Sequence, residues 1–417
     1  MRLIIIAMLI ALIALPVMAE IKNLKVTGHL RFRGYAINKA DTSDAKNDHI
    51  DYYVDHIDYY VQRTWLGVEG DVTDNIYAKI ILENEFVWGK TGAPNDDAAN
   101  NSINFVYAYA TLKNLLGQPL SLTVGRQPYN LGNGFILWDA ADGYDGMKLT
   151  YSGSNFALDV LNLKTNDGIG AAAAEVDFYG IVGAYKGIEK NTLTAYCLIN
   201  DDNPDTTTND IKRFIGLRAE GSIPSIDALS YIAEYIKQGG KVEKAAGVEK
   251  TDYDASLLYL QAGYLMKDFY KTTIMVEYLN TSGQDDADTD DITAFYAPLQ
   301  SIMVPGGANF DPGYGDALRT VGYTPNYVNG LKSIAIAISS SPTEKLTVGG
   351  KYYMLKSDED YDAGKNKLGN SFDLYAKYNL AKGTNVCAVY SQFNPSSDLG
   401  ANLDNTTYGG LELRIDF

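Results

Sequence analysis

Near the start of the chain His29, Arg31 and Arg33 stand at alternate positions, and near its end Glu412, Arg414 and Asp416 do the same. Arg63, Glu83 and Glu85 repeat the pattern between them. A spacing of two puts such residues on one face of an extended strand. Fixed charges on one face can line water and select solutes by charge, or pair across strands and stiffen a hydrated wall. Other chemistry finds less support. The three histidines, His29, His49 and His56, fall in the first two strand-like runs and their loop, and no G-x-S-x-G nucleophile motif accompanies them. Asp286, Asp288 and Asp290 have calcium-ligand spacing but lack the loop glycine and later glutamate of an EF-hand, so they read as solvated charge. Cys197 and Cys387 follow no metal or disulfide pattern. Neither a cofactor nor a metal site is expected, and the chain is not expected to be an enzyme.

The elements that carry these residues read as strands. From Leu411 to the end, Leu411, Leu413, Ile415 and Phe417 occupy one face and Glu412, Arg414 and Asp416 the other. Runs of about 9 to 12 residues recur along the chain, the length of a strand tilted across a hydrocarbon layer. Short turns are expected at 70–75, 114–117, 152–154, 188–190, 221–225, 267–269, 340–344 and 381–383. Long loops are expected from 38 through 57 and at 88–102, 128–142, 165–175, 201–210, 238–251, 280–329, 357–369 and 394–406. Strict alternation of short turn and long loop is the mark of an outer-membrane barrel. The fold class is therefore all-β: a transmembrane antiparallel barrel of about eighteen strands, with short periplasmic turns and long extracellular loops.

Residues 1–19 read as a cleaved signal peptide, with Arg2, an apolar run and a small-residue site at Ala19, leaving 20–417 as one barrel domain. After Glu20 no apolar stretch is long enough for a membrane helix. The whole chain has 35 basic and 52 acidic residues; removing 1–19 removes one base, and 34 minus 52 gives −18. That balance argues against nucleic acid as a partner.

In a lipid-embedded barrel the apolar positions face outward, so parity assigns the lumen. It sends Arg31, Arg33, Arg63, Glu83, Lys148, Arg218, Glu234, Glu277, Lys351 and Arg414 inward, with His29, Glu69, Lys79, Glu85, Lys212, Glu220, Asp373 and Lys377. The runs 176–185 and 386–391 are too mixed for parity to decide. Tyr259 and Tyr375 share the lumen parity and could stack on sugar rings; other tyrosines near strand ends suit an aromatic girdle. The 280–329 loop turns apolar around Phe295 and Tyr296, and a long apolar loop is costly in water, so it is expected to fold inward and narrow the pore.

The stretch T-V-G-R-Q-P-Y-N-L-G-N-G-F (123–135), then D-G-Y-D-G-M-K-L-T-Y (142–151), resembles the alginate export family of outer-membrane barrels. Phe295, Pro298 and the series Gly313, Tyr314, Gly315 and Asp316 in the longest loop add to the likeness, as do the strands ending on Phe417. The resemblance implies an eighteen-stranded barrel and passive passage of a solute. It makes Arg126 the G-R-Q arginine beside Arg31, Arg33 and Arg63, and adds Tyr314 and Asp316 to the constriction. This chain departs from a purely basic constriction, because its inward-facing set, with Glu412 and Asp416, holds nearly as many acids as bases. The expected function is a porin-like channel of the bacterial outer membrane for small hydrophilic solutes, anionic or carbohydrate. The alternatives are an export duct for an anionic exopolysaccharide such as alginate and a structural or adhesive barrel. Expected partners are outer-membrane lipid and lipopolysaccharide, the barrel-assembly machinery reading the strand that ends in Phe417, and the solute or polysaccharide itself.

Overall fold

A computed structural model describes residues 21–38, 56–89, 103–139, 143–167, 175–205, 208–244, 250–284, 291–296, 329–360, 362, 364–399, 403 and 405–417. The expected signal peptide, most of the first loop, and the 297–328 part of the longest loop lie outside them, and with them Asp286, Asp288, Asp290, Tyr314 and Asp316.

The strands are β1 (Lys22–Asn38), β2 (His56–Thr73), β3 (Ile76–Val87), β4 (Asn104–Leu112), β5 (Leu120–Gln127), β6 (Tyr144–Ser152), β7 (Phe156–Asp167), β8 (Glu175–Ile188), β9 (Asn191–Asp205) and β10 (Thr208–Ile223). They continue as β11 (Ile226–Lys244), β12 (Lys250–Tyr253), β13 (Ala255–Met266), β14 (Thr272–Thr281), β15 (Asp291–Ile292), β16 (Leu331–Ser340), β17 (Leu346–Lys356), β18 (Lys367–Ala381), β19 (Thr384–Pro395) and β20 (Thr406–Asp416). All but β12 and β15 pair antiparallel with their chain neighbours, and β20 returns to β1 with His29 opposite Asp416 and Asn38 opposite Thr407. The result is a closed barrel of 18 strands, the 20 of the sheet less these two. Closure leaves no unpaired edge in the wall, the condition for a sheet to sit in lipid. The two short strands pair with each other in parallel, Asp252 opposite Asp291, beside the loop end of β11.

Alternation explains why these segments form a membrane wall. In β20, Leu411 is 58% exposed on the outer face, whereas Glu412 is 5% exposed on the inner one. Leu66, Val68, Ile80, Val124, Ile215, Leu217, Ile334, Ile336 and Ile338 continue the apolar exterior. At the seam Phe417 exchanges two backbone hydrogen bonds with Gly28, at 2.9 and 3.0 Å. Gly28 is needed there, since a Cβ would lie 2.8 Å from the Phe417 ring and 2.6 Å from the Trp65 carbonyl oxygen.

Two expected loops are instead strand. β9 runs to Asp205 and β10 starts at Thr208, and β11 continues to Lys244. The aspartates at 201–210 can join a ladder because Lys212, almost fully buried, places its Nζ 2.6 Å from Asp210 and 3.6 Å from Asp202.

A second departure concerns the lumen. In β8, one of the undecided runs, Phe178 and Val182 point inward and are buried while Tyr179, Ile181 and Tyr185 point outward; in β19 Cys387, Val389 and Phe393 point inward. Leu163, Leu198, Phe214, Ile236, Leu257, Leu279, Leu331, Leu355 and Leu368 extend this inward apolar surface through β7–β18. Parity assumed water throughout the interior. On this side the lumen is filled, so apolar residues occupy both faces of the wall.

Candidate functional site in the barrel lumen

The interior has a charged wall and a filled side. Strands β20, β1, β2 and β3 carry the charged wall: Glu412, Arg414 and Asp416, His29, Arg31 and Arg33, Arg63 and Glu69, and Lys79, Glu83 and Glu85 face inward, while most of the outward positions are apolar. Register sets Arg414 beside Arg31, Arg31 beside Arg63, and Arg63 beside Glu85, so three guanidiniums form one row at strand spacing. Adjacent strands lie about 4.8 Å apart, which puts the row on an arc of roughly 10 Å. The row toward the loops sets Glu412 beside Arg33; the row toward the short turns sets Asp416, His29, Trp65 and Glu83 in sequence.

Like charges side by side repel, and the acids above, below and beside the row offset this. Arg31 Nη2 donates to Glu85 at 3.0 Å, and Arg63 Nε bonds Glu85 and lies 3.1 Å from Glu83. Arg33 Nε donates to Glu412 at 2.7 Å, and Arg414 Nε to Asp416 at 2.8 Å. Trp65 Nε1 donates to Glu83, and the Trp65 ring stacks on His29 with centroids 4.4 Å apart. A guanidinium has five N–H donors. Arg31, Arg63 and Arg414 each engage a carboxylate through one nitrogen, so further donors remain for a solute. Nearby, Tyr35 and Tyr59 stack with centroids 4.7 Å apart, and Arg33 Nη1 reaches the Tyr35 hydroxyl at 3.3 Å.

The filled side gathers a different part of the expected set. Arg218 Nη1 donates to Glu234 at 2.7 Å, Tyr196 hydroxyl donates to the same carboxylate at 2.9 Å, and Lys351 Nζ donates to Glu277 at 2.6 Å. Lys351 reaches Glu277 from two strands away, diagonally across β16: Lys351 stands opposite Ala337 and Glu277 opposite Ala335, and both alanines are too small to block the path. These four charged side chains are buried. Their ion pairs are thus covered parts of the inner wall, distinct from the row on β20–β3.

The covering is the segment after β5, read from the sequence as an outer loop. Tyr129, Leu131, Phe135, Ile136 and Leu137 are all buried with the apolar wall. Gly132 comes against Glu234 on β11, and Phe135 packs edge-on to Tyr259 on β13 with centroids 5.5 Å apart. Four strands separate β6 from β11 around the wall, so these contacts are made across the lumen. A run as apolar as L-G-N-G-F-I-L-W (131–138) in an aqueous loop was the signal for this, and it passed as part of a connection.

The remaining expected residues divide. Lys148 lies on the inner face with its Nζ 5.3 Å from the centre of the Tyr129 ring. Arg126 does not line the lumen: it shares the outward parity of Leu122 and Val124, and pairs with Asp145 on β6 at 3.1 Å. The G-R-Q resemblance named the position without fixing its face. Phe295 is buried edge-on to Phe214, and the Tyr296 backbone N–H donates to Gln238 Oε1 at 2.9 Å, so this beginning of the longest loop does pack inside.

A family model described as alginate export matches residues 30–404. No curated protein sequence matches the chain. Among solved structures, OccAB3 of Acinetobacter baumannii is 14% identical with a TM-score of 0.59, the match covering 95% of this chain and 99% of that one. OccK9 (OpdG) of Pseudomonas aeruginosa is 12% identical with a TM-score of 0.60, covering 95% and 99%. OpdK of Pseudomonas aeruginosa, solved with vanillate, is 12% identical with a TM-score of 0.57, covering 94% and 98%. Identities this low speak to the shared barrel alone. The family model spans nearly the whole barrel, from within β1 to just before β20, and the chain belongs to the alginate export family of outer-membrane barrels.

Proposed function

We propose that this barrel is a passive channel whose conducting path follows the wall of β20, β1, β2 and β3 and favours small carboxylated solutes. The observation that carries the reading is the row Arg414, Arg31 and Arg63, with guanidinium donors left over after each has bonded its carboxylate. A solute carboxylate could take two parallel N–H donors from one guanidinium, the strongest geometry open to it. The stacked Tyr35 and Tyr59 beside Arg33 offer a face for a planar ring, so an aromatic carboxylate of the size of the vanillate found with OpdK is a suitable probe. In this reading the protein performs no chemistry on what passes. Lipid and lipopolysaccharide meet the apolar exterior, and the assembly machinery reads the last strand with Phe417.

Export of an anionic polysaccharide is a second reading, favoured by the family model. The arginine row would serve either cargo, so the cargo itself decides. The test of the channel reading is reconstitution in a planar bilayer with a salt gradient: discrete conductance steps and an anion-selective reversal potential are expected, reduced by added vanillate. A barrel with no steps, or a cation-selective one, overturns it. Loss of secreted polymer on deleting the gene, with carboxylate uptake unchanged, would move the assignment to the second reading.

A further inference from the structure

We infer that Glu234, fixed by Arg218 and Tyr196, is the seat against which the tip of the 128–139 segment rests, the stop that sets how closely the tip approaches the wall and thereby the width of the conducting path. This rests on the channel reading above. Glu234 is the ninth residue of β11, near the middle of the wall, and its side chain is 1% exposed. One of its oxygens accepts from Tyr196 and the other from Arg218, and Arg218 is held in turn by Glu220 at 2.8 Å. The carboxylate is therefore fixed, and it faces the tip of the segment. A Cβ on Gly132 would lie 2.5 Å from Glu234 Oε1 and 2.7 Å from Oε2.

The tip is built to sit there. Gly132 and Gly134 have φ of 56° and 81°, the left-handed region that glycine adopts without steric cost. Leu131 N–H bonds the Leu137 carbonyl at 3.0 Å and Gly134 N–H bonds the Leu131 carbonyl at 2.9 Å, so the segment closes on itself. Its root is tied to the opposite wall. Tyr144 hydroxyl donates to the Trp138 carbonyl at 2.7 Å, and Tyr107 hydroxyl to Asp139 at 2.6 Å. A closed segment anchored at β4 and β6 and resting on β11 bridges the interior as a strut. Any side chain at 132 would have to push a carboxylate that two donors hold, or lift the tip away. Glu234 and Arg218 are positioning residues in this account, and solute need not touch them.

Single-channel conductance tests it. Gly132→Ala should lift the tip and raise conductance about twofold, since a barrel of this strand number encloses an aqueous channel once internal segments leave it. Heat-modifiable gel migration should show a folded barrel. Backbone strain at 132 alone would give the same rise, so the second variant is Gly132→Ala with Glu234→Ser, which opens room beneath the new methyl while Glu220 still pairs Arg218. Conductance should return toward the wild-type value. A conducting wild type with an unchanged Gly132→Ala variant overturns the seat and leaves the channel reading intact; a rise that Glu234→Ser does not reverse also overturns it. A wild type that never conducts removes the channel reading and this inference together.

Discussion

Replacing Arg31 by glutamine tests whether the arginine row selects the solute. An anion passing about 5 Å from one unit charge in a water-filled lumen gains about 0.8 kcal/mol, from 332/(εr) with ε near 80. That corresponds to about a fourfold preference over an uncharged wall. Glu85, 3.0 Å from Arg31, cancels part of this, so fourfold is an upper bound for one residue. The charge disfavours a cation by the same factor, so the anion-to-cation permeability ratio of Arg31→Gln should fall by up to about sixteenfold in about 0.1 M salt, where the Debye length is about 10 Å. In 1 M salt, where it is about 3 Å, the difference from wild type should nearly vanish. The assay is the reversal potential across a salt gradient, taken at both concentrations. Arg126→Gln is the control, because Arg126 lies on the outer face against Asp145 and should leave the ratio unchanged. Equal effects of the two substitutions, or a silent Arg31→Gln at low salt, would refute the assignment of the row to the conducting path.

Two further outcomes follow from the wall itself. Lys351→Ala strands the buried Glu277 carboxylate and should destabilise the barrel by about 3 to 5 kcal/mol in denaturant unfolding, whereas Lys351→Met with Glu277→Gln should recover most of the loss; an unaffected single variant would mean that Glu277 is hydrated. Deleting Phe417 removes the two backbone hydrogen bonds to Gly28 at the seam and should slow assembly into membranes while leaving the conductance of folded molecules unchanged, and normal insertion of the shortened chain would count against this closing role.

The strand count, the alternation of short turns with long loops and the inward face of β20 could be read from sequence because each is set locally. Leu411, Leu413 and Ile415 alternate with Glu412, Arg414 and Asp416, and no other strand parity keeps the ionic set out of lipid. The arginine row was legible one strand at a time but not as a row, since its meaning depends on Arg414, Arg31 and Arg63 sharing a register, and the first and last are 351 positions apart in sequence (414 minus 63). Arg126 was misread because a motif carries an identity and not a face. The 128–139 segment was missed because its length matched that of an outer loop, and its apolar content was given less weight than its place in the alternation of turns and loops.

The same physics makes the undecided runs informative. A barrel strand is cleanly amphipathic only where one face meets lipid and the other meets water. β1, β2, β3 and β20 come nearest to that condition around Arg31, and the ionic residues they turn inward form the wall that we propose meets solute. β8 and β19 offer apolar residues to both sides because Phe178, Val182, Val389 and Phe393 face buried side chains. Ambiguous parity in a chain whose other strands alternate therefore marks where the lumen is occupied, and an apolar run inside a predicted outer loop names the occupant. Here the two signals meet: Phe178 belongs to the same apolar cluster as Leu131, Phe135 and Leu137. The conducting path we propose runs along the strands that carry the ionic rows, β20, β1, β2 and β3.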